Sequence, residues 1–170
     1  MKKYLMILLV GLIVATAAVR ADAGFYILGT AGGGGESGSS SYGGEIGAIW
    51  PNDEPKYMLG LGASKSTNGS KETATFLLDK VKSDDIEIYG AGGIAVTKGL
   101  FVVGTAGATE TCEGTVFKGD DASSCASYDD NETSYKFAAS GQLRYVYKQL
   151  IIGAGYHNRR GIVGGIGIRF

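Results

Sequence analysis

The sequence predicts an all-β fold, an eight-stranded antiparallel up-and-down transmembrane β-barrel. Three observations predict it. Short segments alternate apolar with small or polar residues at a period of two. The composition holds 29 Gly and 10 Tyr but only 2 Pro, a mix that suits tightly curved β-structure. The links between segments alternate between short and long, the asymmetry of barrels that cross a membrane.

The chain opens with MKKYLMILLVGLIVATAAVRADAG. Lys2 and Lys3 precede an uncharged apolar run from Tyr4 to Val19, and Ala21-Asp22-Ala23 is a small-x-small cleavage site. This is the layout of a secretory signal peptide over residues 1–23, removed on export, and it leaves 24–170 as one barrel domain. The run falls short of the roughly 20 apolar residues a spanning helix needs. Cleavage would remove three cations and one anion, so the mature chain is more acidic than the formal −1 of the whole sequence. No basic patch points to nucleic acid.

Eight strand-like segments follow: Phe25–Gly32, Tyr42–Trp50, Tyr57–Ser64, Ile86–Thr97, Leu100–Thr109, Tyr135–Tyr147, Leu150–His157 and Ile162–Phe170. Most approach the roughly 9–11 residues that a tilted strand needs to cross a bilayer. Pro51–Lys56, Lys98–Gly99 and Lys148–Gln149 are short links on one side. Gly33–Ser41, Lys65–Asp85 and Glu110–Ser134 are long links on the other, joined by the short Asn158–Gly161. Within the second long link, ETATFLLDKVK (Glu72–Lys82) reads as a loop helix or as a strand extension above the membrane. A ninth spanning strand there would spoil the even count.

The alternation sorts the faces. In Tyr135–Tyr147 one parity holds Tyr135, Phe137, Leu143, Tyr145 and Tyr147, and the other holds Lys136, Ser140, Gln142 and Arg144. The first set suits lipid and the second a packed interior. Trp50, Tyr57, Phe101 and Phe170 gather at the short-turn end, as an aromatic girdle would.

The chain closes on GIVGGIGIRF, with Ile166, Ile168 and Phe170 on one parity. This ending resembles the C-terminal β-signal that the assembly machinery of Gram-negative outer membranes reads. With the strand count and loop asymmetry, the whole mature chain resembles the small outer-membrane barrels of the OmpA and OmpX type. TKGLFVVGTAG (Thr97–Gly107) and HNRRGIVGGIGIRF (His157–Phe170) are similar to segments common in uncharacterised small outer-membrane barrel proteins. The resemblance implies a monomer in the cell outer membrane. Its partners would be outer-membrane lipid and lipopolysaccharide, and the assembly machinery during insertion. It implies a structural or surface-interaction role without catalysis or cofactor. A small porin-like channel is the alternative, and a lipid-modifying enzyme a third.

Strand parity turns Glu45, Glu87, Lys136 and Arg144 inward, and Arg169 inward near the base. Tyr89, Ser140 and Gln142 extend such a network. It reads as an ion gate or as a polar plug, and the narrow bore of eight strands favours the plug. The lone histidine, His157, invites comparison with barrels that deacylate lipid A, which use a His–Ser pair two residues apart. Here Asn158, Arg159 and Arg160 follow it, so the nucleophile is missing and His157 reads as a rim residue. Arg159 and Arg160 are placed to meet lipopolysaccharide phosphate. GTAGGGGE (Gly29–Glu36) lacks the Gly-Lys-Ser/Thr ending of a phosphate loop.

From Glu110 to Thr133, the acids Glu110, Glu113, Asp120, Asp121, Asp129, Asp130 and Glu132 face only Lys118. No EF-hand spacing is present, so a solvated acidic loop is the reading. The same stretch holds both cysteines, Cys112 and Cys125. In an exported chain with one histidine, a disulfide is favoured over a zinc site. Chain entropy assigns such a bridge roughly 3 kcal/mol, which would mainly order the loop. Folded, unreduced protein should therefore resist alkylation at both thiols until a reductant is added; immediate modification of both would rule the bridge out.

Overall fold

A computed structural model describes residues 23–35, 40–67, 71–73, 78–82, 85–117 and 130–170. Ten strands lie in one sheet: β1 (Gly24–Gly34), β2 (Ser40–Trp50), β3 (Tyr57–Thr67), β4 (Lys71–Thr73), β5 (Leu78–Lys82), β6 (Asp85–Thr97), β7 (Leu100–Phe117), β8 (Asp130–Tyr147), β9 (Leu150–His157) and β10 (Gly161–Arg169). All except β4 and β5 form the barrel, which is antiparallel and up-and-down. The ring closes where β1 meets β10, from Tyr26↔Arg169 to Gly34↔Gly161. Phe25 and Phe170 extend this seam by exchanging two backbone hydrogen bonds of 2.9 Å each.

Local chemistry explains the turns. Lys98-Gly99 and Lys148-Gln149 are two-residue hairpin links, and Gly99 and Lys148 adopt the positive φ that such links require. The long-link end departs from the sequence reading. β7 runs to Phe117 and β8 starts at Asp130, well inside the expected loop. Residues 118–129, including Cys125, lie outside the described residues, whereas Cys112 sits in strand opposite Thr133. The apolar alternation stops near Thr109 because lipid stops there. Hairpin pairing needs no lipid and continues above it. The stretch Glu72–Lys82 contributes strand extension: β4 and β5 pair, and β5 adds to β7 from Leu78↔Phe117 to Lys82↔Glu113. A four-stranded sheet, β4–β5–β7–β8, thus rises from the barrel.

The faces sort by parity. Two aromatic tiers project outward: Tyr42, Tyr135, Phe137 and Tyr156 toward the long-link end, and Tyr57, Tyr145, Tyr147 and Phe170 toward the short-turn end. Ile27, Ile46, Ile88, Leu143, Ile152 and Ile166 are exposed between them. From Tyr135 to Tyr145 the strand spans about 26 Å of barrel height, taking ~3.4 Å per residue and a tilt of ~40°, close to the height of a lipid-facing band. Phe101, expected in the girdle, is instead fully buried. It shares the parity of Val103 and Thr105 and fills the lumen. Trp50 is half-buried with its ring 5.7 Å from that of Tyr57. In the short-turn half the lumen is apolar, packed by Leu28, Ile49, Met58, Phe101, Val146 and Ile151.

Phe170 is 64% exposed on the outer face, so its ring adds little packing, while its backbone completes the seam. Deleting it should lower the cellular yield of heat-modifiable barrel severalfold and barely move the urea midpoint of barrel refolded in detergent. Unchanged yield would refute an assembly role. Lost yield with an equal collapse of the midpoint would make Phe170 a packing residue.

Candidate functional site

Above the apolar base the lumen turns polar, because inward positions of β1, β2, β3, β6, β7 and β8 there carry Tyr, Glu, Ser, Asp, Thr and Arg. At mid-height Arg144 from β8 forms a two-pronged pair with Glu45 from β2: Nη1 donates to Oε1 at 2.5 Å and Nη2 to Oε2 at 2.8 Å. Both side chains are fully buried. The Tyr26 hydroxyl donates to Glu45 Oε1 at 2.5 Å. Gln142 Oε1 accepts from Arg144 Nε and Nη2, and Gln142 Nε2 donates to Ser140 Oγ, which also bonds Thr105 Oγ1. Every strong polar atom of the pair thus has a partner, the condition for a buried ion pair to persist. The wall makes room for it: a Cβ on Gly60 would collide with the Tyr26 hydroxyl and crowd the Glu45 carboxylate, and one on Gly62 would enter the Tyr89 ring.

Toward the long-link end a second cluster closes the lumen. His157 at the end of β9 bonds Glu87 Oε1 through Nε2 at 2.9 Å, and Ser64 donates to Glu87 Oε2 at 3.1 Å. His157 Nδ1 accepts the backbone N–H groups of Arg159 and Arg160. Nδ1 therefore holds no proton, and Nε2 is the donor to Glu87. Asn158 fixes the same turn from outside: its Oδ1 accepts from Ala139 N, and its backbone N–H donates to Ala139 O. Arg159 donates through Nη2 to Asp85 Oδ2 at 3.0 Å, and Thr111 donates to Asp85 Oδ1 at 2.7 Å. Arg160 donates to Ser41 Oγ at 2.9 Å and Thr30 Oγ1 at 3.2 Å. Apart from the exposed Asn158, all these side chains are nine-tenths or more buried. Three carboxylates (Glu45, Glu87, Asp85) balance three guanidiniums (Arg144, Arg159, Arg160).

The predicted site residues therefore separate. Glu45 and Arg144 meet directly, and Glu87 lies in the cluster above them. Lys136 does not join: it has inward parity but its side chain is exposed. The last β8–β9 rung is Ser140↔His157, so at Lys136 β8 no longer has β9 beside it. Arg169 is also apart, donating through Nη1 to Asn52 O at 3.1 Å at the base. Ile166, Ile168 and Phe170 project outward. His157 is not a rim residue but 2% exposed, and Arg159 and Arg160 are 3% and 4% exposed. The turn folds them into the lumen, away from any lipopolysaccharide. Asp85 was missed, although it shares the parity of Glu87. A count of inward charge points instead to the turn arginines, since Glu45 and Glu87 leave one acid unmatched by Arg144.

Chemically the cluster is occupied with itself. Both His157 nitrogens are engaged, and the Ser64 hydroxyl points at Glu87, so among the described residues no serine is hydrogen-bonded to the imidazole. Among the described residues no three His, Cys, Asp or Glu side chains are grouped to hold a metal ion. Arg144→Met should strand the buried Glu45 carboxylate and cost about 3–5 kcal/mol. Adding Glu45→Met should restore most of that loss. Urea midpoints in detergent measure both, and a double variant no more stable than Arg144→Met would contradict the pairing.

No family model and no curated protein sequence matches the chain. Solved structures do. The attachment invasion locus protein Ail of Yersinia pestis aligns at 14% identity over 87% of this chain and 97% of its own, with a TM-score of 0.52. The same protein in complex with the heparin analogue sucrose octasulfate aligns at 15% identity over the same shares, with a TM-score of 0.55. The N-terminal β-barrel domain of Pseudomonas aeruginosa OprF aligns at 14% identity over 86% of this chain and 99% of its own, with a TM-score of 0.48. The shared feature is the fold, that of a small eight-stranded outer-membrane β-barrel.

Proposed function

We propose that the chain is an outer-membrane barrel with a plugged lumen, and that its role is structural or surface-interacting, exerted through the sheet it raises above the membrane. The observation that supports this most is the pairing of a filled bore with a raised sheet. Apolar side chains pack the short-turn half of the lumen, and two hydrogen-bonded charge clusters fill the rest. A channel needs a continuous polar path, and Phe101, Ile49 and Ile151 interrupt one. A lipid-modifying enzyme needs a free nucleophile–base pair, and His157 is committed to Glu87 and to backbone.

In this reading the short turns face the periplasm and β4, β5 and the upper β7 and β8 face outward. Beyond Ser140, β8 pairs with β7 alone among the described strands. Asn158 engages Ala139 and Phe137 on its other side, and above them β8 ends the sheet, the position at which sheets accept a further strand. The membrane-spanning part carries this sheet, and the wall below it needs no motion.

Purified protein in planar bilayers should show no steady conductance. Large steady currents would make it a channel instead. Replacing residues 113–132 by a two-residue Asn-Gly turn should leave heat-modifiability intact while abolishing whatever surface binding intact cells show. Loss of the barrel itself would mean that the raised sheet is part of the scaffold.

A further inference from the structure

At the short-turn end the wall carries a groove of about 460 Å³ between the β2–β3 link and the end of β6. The register explains it. The β3–β6 ladder ends at Tyr57↔Ile94, and beyond it Ala95 N still donates to Lys56 O at 2.8 Å. The β6–β7 ladder slips between Ala95 and Thr97, so Val96 is the extra residue of a bulge, and the strand bends away there. The groove opens on the outer face. Its apolar walls are Tyr57, Ile94 and Val96, each about half exposed at 48%, 58% and 56%. Lys56, Lys98 and Glu54 stand at its polar rim, all exposed. Among the described residues none of these three side chains has a hydrogen-bond or ion-pair partner.

We infer that this groove seats one phospholipid of the inner leaflet whose headgroup combines a phosphate with a primary ammonium, the phosphoethanolamine class. The inference rests on the outer-membrane orientation proposed above, which places the rim at headgroup depth beside the aromatic tier of Tyr57, Tyr147 and Phe170. Lys56 and Lys98 supply two ammonium donors for phosphate oxygens. Glu54 accepts from the ethanolamine ammonium. An acyl chain lies along Ile94 and Val96 against the Tyr57 ring. The carboxylate on the same rim decides the class: it opposes a purely anionic headgroup, and a trimethylated ammonium cannot donate a hydrogen bond to it. A free phosphate would leave the apolar walls unused.

The test is native mass spectrometry of the full, heat-modifiable barrel, delipidated in detergent. The probes are phosphatidylethanolamine, phosphatidylcholine and phosphatidylglycerol of identical chains, with soluble glycerophosphoethanolamine as a fourth. One phosphatidylethanolamine should be retained in preference to the other three. Lys56→Gln with Lys98→Gln should weaken that retention on the order of tenfold, as the loss of two solvent-exposed charged contacts allows. Glu54→Gln should abolish the preference over phosphatidylglycerol alone. Equal retention of the three lipids, or a double lysine variant that binds like the unmodified barrel, would overturn the site while leaving the barrel reading intact. Binding of the soluble headgroup as tightly as the lipid would overturn it as well. Failure of the protein to enter lipid vesicles as a heat-modifiable species would remove both readings together.

Discussion

A bilayer offers no hydrogen-bond partner to peptide groups, and each one left unpaired there costs several kcal/mol. The seam between β1 and β10 answers that constraint, and the rest of the molecule depends on it. Once Phe25 and Phe170 exchange their backbone bonds, the first and last strands of the ring are joined. Closure also fixes the direction of every side chain. Alternate residues are then committed to hydrocarbon or to a bore too narrow for solvent. The glycines, the tight hairpins and the filled interior all follow from a short strand number and a closed ring.

The interior is consequently two materials in sequence along one axis. Near the short turns it resembles the core of a soluble protein, with Met58, Phe101 and Ile151 in contact. Farther up, it holds ionised groups that are kept only because each is matched. The Glu45–Arg144 pair resides at the boundary between the two, and Met58 sulfur lies 3.6 Å from Arg144 Nη1. Polar content increases toward the end where the strands outrun the membrane. There water is near enough to hydrate Lys136 while the turn carrying His157 shields what lies below.

Much of this was legible in the chain because lipid imposes a strict alternation. Tyr135, Leu143 and Tyr145 against Ser140, Gln142 and Arg144 gave both faces of β8, and Ile166, Ile168 and Phe170 gave the outer face of the last strand. The same rule was blind above the bilayer, where water faces both sides of a strand. There β7 and β8 continue through residues such as Glu113 and Glu132 with no apolar signature. Phe101 misled by type: an aromatic near a strand end suits a girdle, but its parity belonged to the lumen. The turn was the deepest miss. Short polar links usually look outward, and nothing local announces that Arg159 and Arg160 turn back. Only the inward acids, on strands far away in sequence, called for them.

That turn has a further meaning. Its arginines end on Asp85 in β6, Ser41 in β2 and Thr30 in β1, partners separated from them by 74, 119 and 130 residues. Because side chains alternate strictly, a slip of one residue in any of those strands would carry its polar group to the lipid side. A misaligned ring would still satisfy its backbone, yet leave a guanidinium inside with nothing to hold. Seating the β9–β10 turn is therefore a form of proofreading: two arginines check the alignment of three strands laid down long before them.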